Sequence, residues 1–213
     1  MKQTTENTGL NFNATQFLKA RELAWSGLQQ LAGTIKAGDT EDKIQKLYLD
    51  FFPQQQRSWH PPKIRFAKDT MCSFRDKSLY KAPLEKGDIF FFDFGPVFHE
   101  HEADVGDTFC LGNNDFINPA KTIFNKCQNL WSESRLSGVA LYEKACEFSN
   151  EQGLTLNVKM HGHRLGDFPH ALHHKGALGE FEACPKQLLW VLEIHVLNLE
   201  NQIGYFFEDI LQA

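Results

Sequence analysis

The 213-residue sequence predicts an α/β domain built of two similar halves, and three observations carry that reading. The order helix, helix, strand, loop, hairpin occurs twice, each time over about half of the chain. No Pro-, Gly- or Ser-rich linker separates the two rounds. Hydrophobic residues make up 42% of the chain and include 19 Phe, enough for a substantial aromatic core. Residues 13–213 are therefore expected to form one domain, its halves packed face to face around a seam, after a loose polar tail over 1–12.

The first helix is expected from Asn13, because Phe17, Arg21, Ala24, Leu28, Leu31 and Ile35 recur at spacings of three and four, with Gly38 as the stop. Asp39 or Thr40 caps a second helix that carries Ile44, Leu47 and Phe51 and ends at Pro53. KIRFA (63–67) reads as a strand, and a hairpin follows in the apolar run from Ile89 to Phe109. The second round has helices near 117–132 and 137–151, the latter closed by Gly153. LTLNVKM (154–160), a His-rich loop and two final strands, 188–198 and 203–211, complete it.

Composition narrows the classes. The net charge is −5 without any basic cluster, which gives nucleic-acid binding no support. The N-terminus lacks an apolar signal region, and no apolar run reaches the roughly 18–20 residues that span a bilayer. Five scattered Cys without a CxxC pair speak against a disulfide framework and for a reducing, cytoplasmic setting.

The chemistry lies in the strands. Asp93 and Asp104 interrupt the greasy run IFFFDFGPVFHEHEADVGDTF, and Glu193 and Glu208 interrupt the last two strands. A turn within PVFHEH (96–101) would set Asp93 opposite Asp104, and a turn within LENQ (199–202) sets Glu193 opposite Glu208. Like charges facing each other across a strand pair are destabilising. Burying them costs roughly several kcal/mol per ion. These four segments hold no Lys or Arg to neutralise them, so a bound cation is the simplest partner. Six of the nine His lie in the second half, five of them in KMHGHRLGDFPHALHHKG. Four carboxylates balance two divalent ions in formal charge, and one neutral His completes five side-chain ligands. Two neighbouring ions lower the pKa of a shared water and polarise a carbonyl.

At these residues the chain resembles the pita-bread metallopeptidases: methionine aminopeptidases, Xaa-Pro aminopeptidases, prolidases and creatinase. The resemblance runs over nearly the whole chain and rests on FFDFGP, ADVGDTF, GHRLG, FPH, WVLEIH and FFEDIL. It implies pseudo-twofold halves with a curved antiparallel sheet flanked by helices. It assigns Asp93, Asp104, His163, Glu193 and Glu208 as metal ligands, with Glu193 moving a proton and His170 steadying the oxyanion. His60, in SWHPPKIRF, matches an upstream substrate-binding His, and His161 shares the face of His163 as a pocket-lining residue. Two departures stand out: Ile194 and His195 follow Glu193 where Pro is usual, and Asp107 stands where many relatives have Arg. Asp107 is expected to face away from the metals.

The resemblance implies a two-metal exopeptidase acting on peptides, of Xaa-Pro type and nearest to small stand-alone members. Mn, Co, Fe and Zn all suit the mixed O/N set, with Mn favoured. No nucleic-acid or membrane partner is expected, and a homodimer is compatible. Two other readings stay open: an inactive binding module on the same fold, and a creatinase-like hydrolase of a small non-peptide amide.

Overall fold

The computed structural model describes residues 4–213. Among the described residues four α-helices form, each opened by a polar side chain that accepts a backbone N–H from its first turn. They are α1 (Ala14–Thr34, cap Asn13), α2 (Glu41–Phe51, cap Thr40), α3 (Pro119–Ser134, cap Asn118) and α4 (Gly138–Glu151, cap Ser137). No helix among the described residues is long and apolar enough to cross a membrane.

The strands are β1 (Arg57–Ser58), β2 (Lys63–Phe66), β3 (Ile89–Phe94), β4 (Pro96–Phe98), β5 (His101–Glu102), β6 (Val105–Cys110), β7 (Thr155–Leu156), β8 (His163–Arg164), β9 (Trp190–Asn198) and β10 (Ile203–Ile210). Seven of them make one antiparallel sheet in the order β2-β3-β6-β10-β9-β7, with β8 also on β9. The halves thus do not stack face to face as expected. They join edge to edge, because β6 and β10 satisfy each other's backbone groups through Phe207↔Asp107 and Glu208↔Gly106.

Strand periodicity sorts the sheet's two faces. Phe90, Phe92 and Phe94 of β3 pack with α1 and α2, while Leu192, Ile194 and Val196 of β9 pack with α3 and α4. The alternate residues, Asp93 on β3 and Glu193 on β9, point to the opposite face. That answers how such apolar strands carry acids: each helix-facing Phe or Leu leaves its neighbour on the other side.

The hairpin of β3 and β6 differs from expectation. Asp93 pairs with Gly106, not with Asp104, so the register is displaced by two residues. The hairpin breaks at Gly95 and again at Ala103–Asp104, and between the breaks β4 and β5 join β1 in a second, three-stranded sheet. The turn sits at His99–Glu100, both with positive φ (51° and 58°), as a primed two-residue turn requires. The last hairpin has the expected register, with Glu193 opposite Glu208.

The loose tail is also corrected over the described part of it, since residues 1–3 lie outside the description. The buried Arg164 guanidinium donates to the carbonyls of Thr5 and Asn7 (2.9 and 2.8 Å), and Gly9 N–H donates to Asp167 (2.9 Å). Glu6 accepts from Trp190 Nε1 at 3.0 Å.

Two ion pairs tie the halves together on the helix face. Arg21 of α1 donates from Nε to Asp209 of β10 (2.6 Å), and Lys121 of α3 reaches Asp107 of β6 (3.2 Å). Each helix of one half thereby holds a strand of the other. Asp107 faces away from the cleft acids, as expected. Arg21→Ala strands Asp209 inside the protein and is expected to lower unfolding stability by about 3 kcal/mol. Lys121→Ala, at a side chain 46% exposed, is expected to lower it by no more than about 1 kcal/mol. Urea denaturation of both variants checks this; equal losses contradict the clamp.

Candidate metal centre

Register builds the site. Asp93 (β3), Gly106 (β6), Glu208 (β10) and Glu193 (β9) are successive Cα partners across four adjacent strands. Three acids therefore stand in one row on the cleft face. Gly106 leaves the row open, since a Cβ there would meet the Phe206 ring at 2.3 Å and the Phe92 carbonyl at 2.8 Å. Asp104 lies two residues before Gly106, at the break where the chain leaves the small sheet. His163 comes in from β8, opposite Val191, two residues from Glu193.

The four carboxylates are buried, and they line one cleft of about 650 Å³ together with His60, His161, His163 and His170. Donor atoms of His60, Asp93 and Asp104 lie within 4.8 Å of one another, as do those of Asp104, His163 and Glu208. Asp104 belongs to both triads and so sits at the centre. Glu193 falls outside both, but its Oε2 is held by the Gly162 N–H at 3.2 Å. Gly162 has φ +62°, and any Cβ there would meet the Val191 carbonyl at 2.2 Å, so only glycine brings that N–H this close. The Tyr142 hydroxyl donates to the Glu193 carbonyl at 2.8 Å and accepts its N–H at 3.2 Å, which pins the backbone of that ligand candidate.

The two imidazoles are oriented alike. His60 Nδ1–H donates to the Pro61 carbonyl (2.9 Å), and His163 Nδ1–H donates to the Arg164 carbonyl (2.7 Å). Each Nε2 then faces acids: His60 at 3.3 Å from Asp93 and 3.2 Å from Asp104, His163 at 2.7 Å from Asp104. A neutral ring so fixed would turn a bare lone pair toward a carboxylate. That arrangement needs either a proton or a cation between them.

Electrostatics agree. Burial, with the neighbouring acids added, pushes Asp93 up to about 6 and Glu193 up to about 7. Glu208 is raised well above its ordinary value by burial and by Asp104, Asp93 and Glu193. Burial resists charging His60 and His163, yet the facing acids override it and bring both to about 9. Burial would likewise raise Asp104, but the hydrogen bonds from His163 and His60 outweigh it and hold it low. Glu208 Oε1 is buried with no hydrogen-bond partner. An orphaned acceptor beside three other acids fits a divalent cation: the set offers hard oxygens with an imidazole, and it lacks only positive charge.

All eight sequence candidates are placed by these contacts. Asp93, Asp104, His163, Glu208 and His60 come together, Glu193 stands beside them, and His161 and His170 form cleft wall. His195, two residues after Glu193, is an inert core residue. It donates from Nε2 to the Thr70 carbonyl (2.9 Å) and accepts from Asn157, and burial lowers it to about 4. Sequence reasoning missed Trp59, whose ring packs against His60, His163 and His170 at 4.4, 5.0 and 5.2 Å between centroids. It also missed Tyr142 and Glu102. For Glu102 no local signal existed, because it lies in the polar run HEHEAD (99–104), where one more acid does not stand out.

Metallopeptidase family M24 matches residues 15–212. No curated protein matches the chain significantly. Among solved structures, an X-Pro aminopeptidase from Thermotoga maritima superposes with a TM-score of 0.72 at 18% identity, covering 93% of this chain and 60% of that one. A prolidase from Pyrococcus horikoshii gives 0.71 at 16%, covering 92% and 57%. A dipeptidase from Mycobacterium ulcerans gives 0.72 at 14%, covering 94% and 56%. The chain thus spans no more than about 60% of the length of these structures, and at such identities they share its fold. The match over almost every residue, on a cleft built from two halves of one antiparallel sheet, places this chain in metallopeptidase family M24.

Proposed function

We propose that residues 13–213 form the catalytic domain of a two-metal exopeptidase that removes the N-terminal residue of short peptides, with Xaa-Pro bonds as the favoured class. The observation that carries this is the row of buried acids with an orphaned Glu208 oxygen and two Nε2 atoms aimed at carboxylates. Asp93, Asp104, His163, Glu193 and Glu208 would hold the ions. Four carboxylates to one imidazole favour a harder divalent ion such as Mn²⁺ over thiophilic ones. When bound, such a pair supplies Lewis acidity toward a peptide carbonyl and makes a water easier to deprotonate.

The remaining chemistry belongs to side chains. Glu193 has Oε2 held by Gly162, which leaves Oε1 to take a proton from water and pass it to the departing amine. His60 and His170 flank the acids and bind the substrate's polar groups, while His161 forms the opposite wall against Tyr142. Trp59, Phe74 and Met160 give the cleft apolar surface that suits a proline ring and excludes water. The names of the similar structures, X-Pro aminopeptidase and prolidase, support the same substrate class. Five free cysteines suit a reducing cytoplasm.

Glu193→Gln is expected to reduce hydrolysis of an Ala-Pro-type peptide by about 10²-fold or more while the circular dichroism spectrum stays unchanged. His163→Ala is expected to lose bound metal as well, read by elemental analysis. Full turnover in either variant refutes the assignment.

A second expectation concerns pH. In the metal-free chain Asp93 and Glu193 keep protons that the unfolded chain has released, and their pKa values of about 6 and 7 place this window below neutrality. His60 and His163 contribute stability that is fully present below their ordinary 6.5 and lost as pH rises through about 9. The folded state binds the extra protons in both windows, so these groups make metal-free stability fall with rising pH. Metal binding needs the ligands deprotonated and is expected to strengthen over the same range. The rise in Tm caused by saturating Mn²⁺ should accordingly be larger at about pH 8.5 than at about pH 6. Thermal-shift curves with and without chelator check it, and a rise that shrinks with pH contradicts it.

A further inference from the structure

Glu102 is a buried acid that the proposed reaction does not use. It lies on β5, is 0% exposed, and is two residues from Asp104. Both of its oxygens meet one residue. Oε1 accepts the His170 backbone N–H at 3.1 Å, and Oε2 lies 2.6 Å from His170 Nδ1. A carboxylate can only accept, so the imidazole proton sits on Nδ1 and Nε2 is left for the cleft that His170 lines. The ring is held from two further sides, by His163 stacked at 5.6 Å and by the Trp59 edge at 5.2 Å.

The position of Glu102 is itself fixed from outside the cleft. Its own N–H donates to the Gly166 carbonyl at 2.9 Å, and His101 bridges to Asp167. His101 Nδ1–H donates to the His99 carbonyl (2.6 Å), and its Nε2 accepts the Asn13 N–H (2.8 Å). The start of α1, β5 and the loop bearing His170 thus form one hydrogen-bonded block.

We propose that Glu102 is the positioning residue for His170: it holds a proton on Nδ1 and fixes the ring's direction, so that Nε2 is turned toward the substrate. This rests on the peptidase reading of the cleft.

The test pairs kinetics with ring-nitrogen NMR on the full chain in saturating zinc salt. In the wild type, the His170 signals, identified by their loss in His170→Ala, should show a proton on Nδ1. Glu102→Gln keeps the shape but offers only one acceptor oxygen, and should weaken that Nδ1 proton signature. The same variant should lower kcat roughly 10- to 100-fold with KM little changed. Glu102→Asp, which keeps both acceptors on a shorter arm, should recover part of that loss. In the His170→Ala background Glu102→Gln should cost nothing more, because its effect runs through the missing ring. An unprotonated Nδ1 in the wild type, or a full further loss in that background, overturns the proposal. A wild type that hydrolyses no peptide sinks the reading of the cleft instead, and the NMR arm still decides the placement of the His170 proton. Should Glu102→Gln fail to fold, the wild-type spectrum decides alone.

Discussion

Four buried carboxylates crowded into one cleft, three of them in a row on a sheet face, are the constraint around which this fold is organised. Water normally screens such charges, and a low-dielectric interior does not. Asp93, Glu208 and Glu193 stand in register across neighbouring strands, and Asp104 lies beside them. Two imidazoles relieve part of the repulsion, but Glu208 keeps an oxygen with no partner at all. The scaffold holds a concentration of negative charge that the protein alone leaves unbalanced, and a divalent cation is the partner that balances it with the least rearrangement.

Holding that charge in place requires rigidity from the other side. The helix face is apolar, rich in Phe and Leu, and crossed by two ion pairs that run from each half to the other. The seam between β6 and β10 therefore does not rest on its short hydrogen-bonded register alone. On the cleft face the fixing is finer. Gly106 clears space between two acids, Gly162 lends its N–H to a third, and Tyr142 pins the strand beneath it. The segment from Glu6 to Asn13 is fastened to Trp190 on β9, to Asp167 beside the histidine loop and to His101 on β5.

Much of this was legible in the residues, for identifiable reasons. The helices announce themselves through Asn13, Thr40 and Ser137 ahead of apolar stripes. The last hairpin has an uninterrupted period of two, so Glu193 and Glu208 could be paired from their distance to the turn. The same reasoning misplaced Asp93 by two residues, because Pro96 and the Ala103–Asp104 break send the intervening chain into another sheet. No local pattern reports such a change of partner. The face-to-face packing failed for a related cause: pairing β6 with β10 is a contact across about 100 residues, which periodicity does not encode. Arg21 lay on the apolar stripe of α1 in plain sight, yet its reason is Asp209, at the far end of the chain. The polar segment before Asn13 looked free because what fastens it is mostly its backbone, which composition does not reveal.

The most direct test of the central claim is to grow crystals in manganese salt and record anomalous scattering near the metal's absorption edge. The account predicts two strong peaks in the cleft, each within bonding distance of Asp104 or Glu208 and together touching Asp93, His163 and Glu193. A fully ordered cleft without anomalous density, its acids bonded to one another through shared protons, would contradict it.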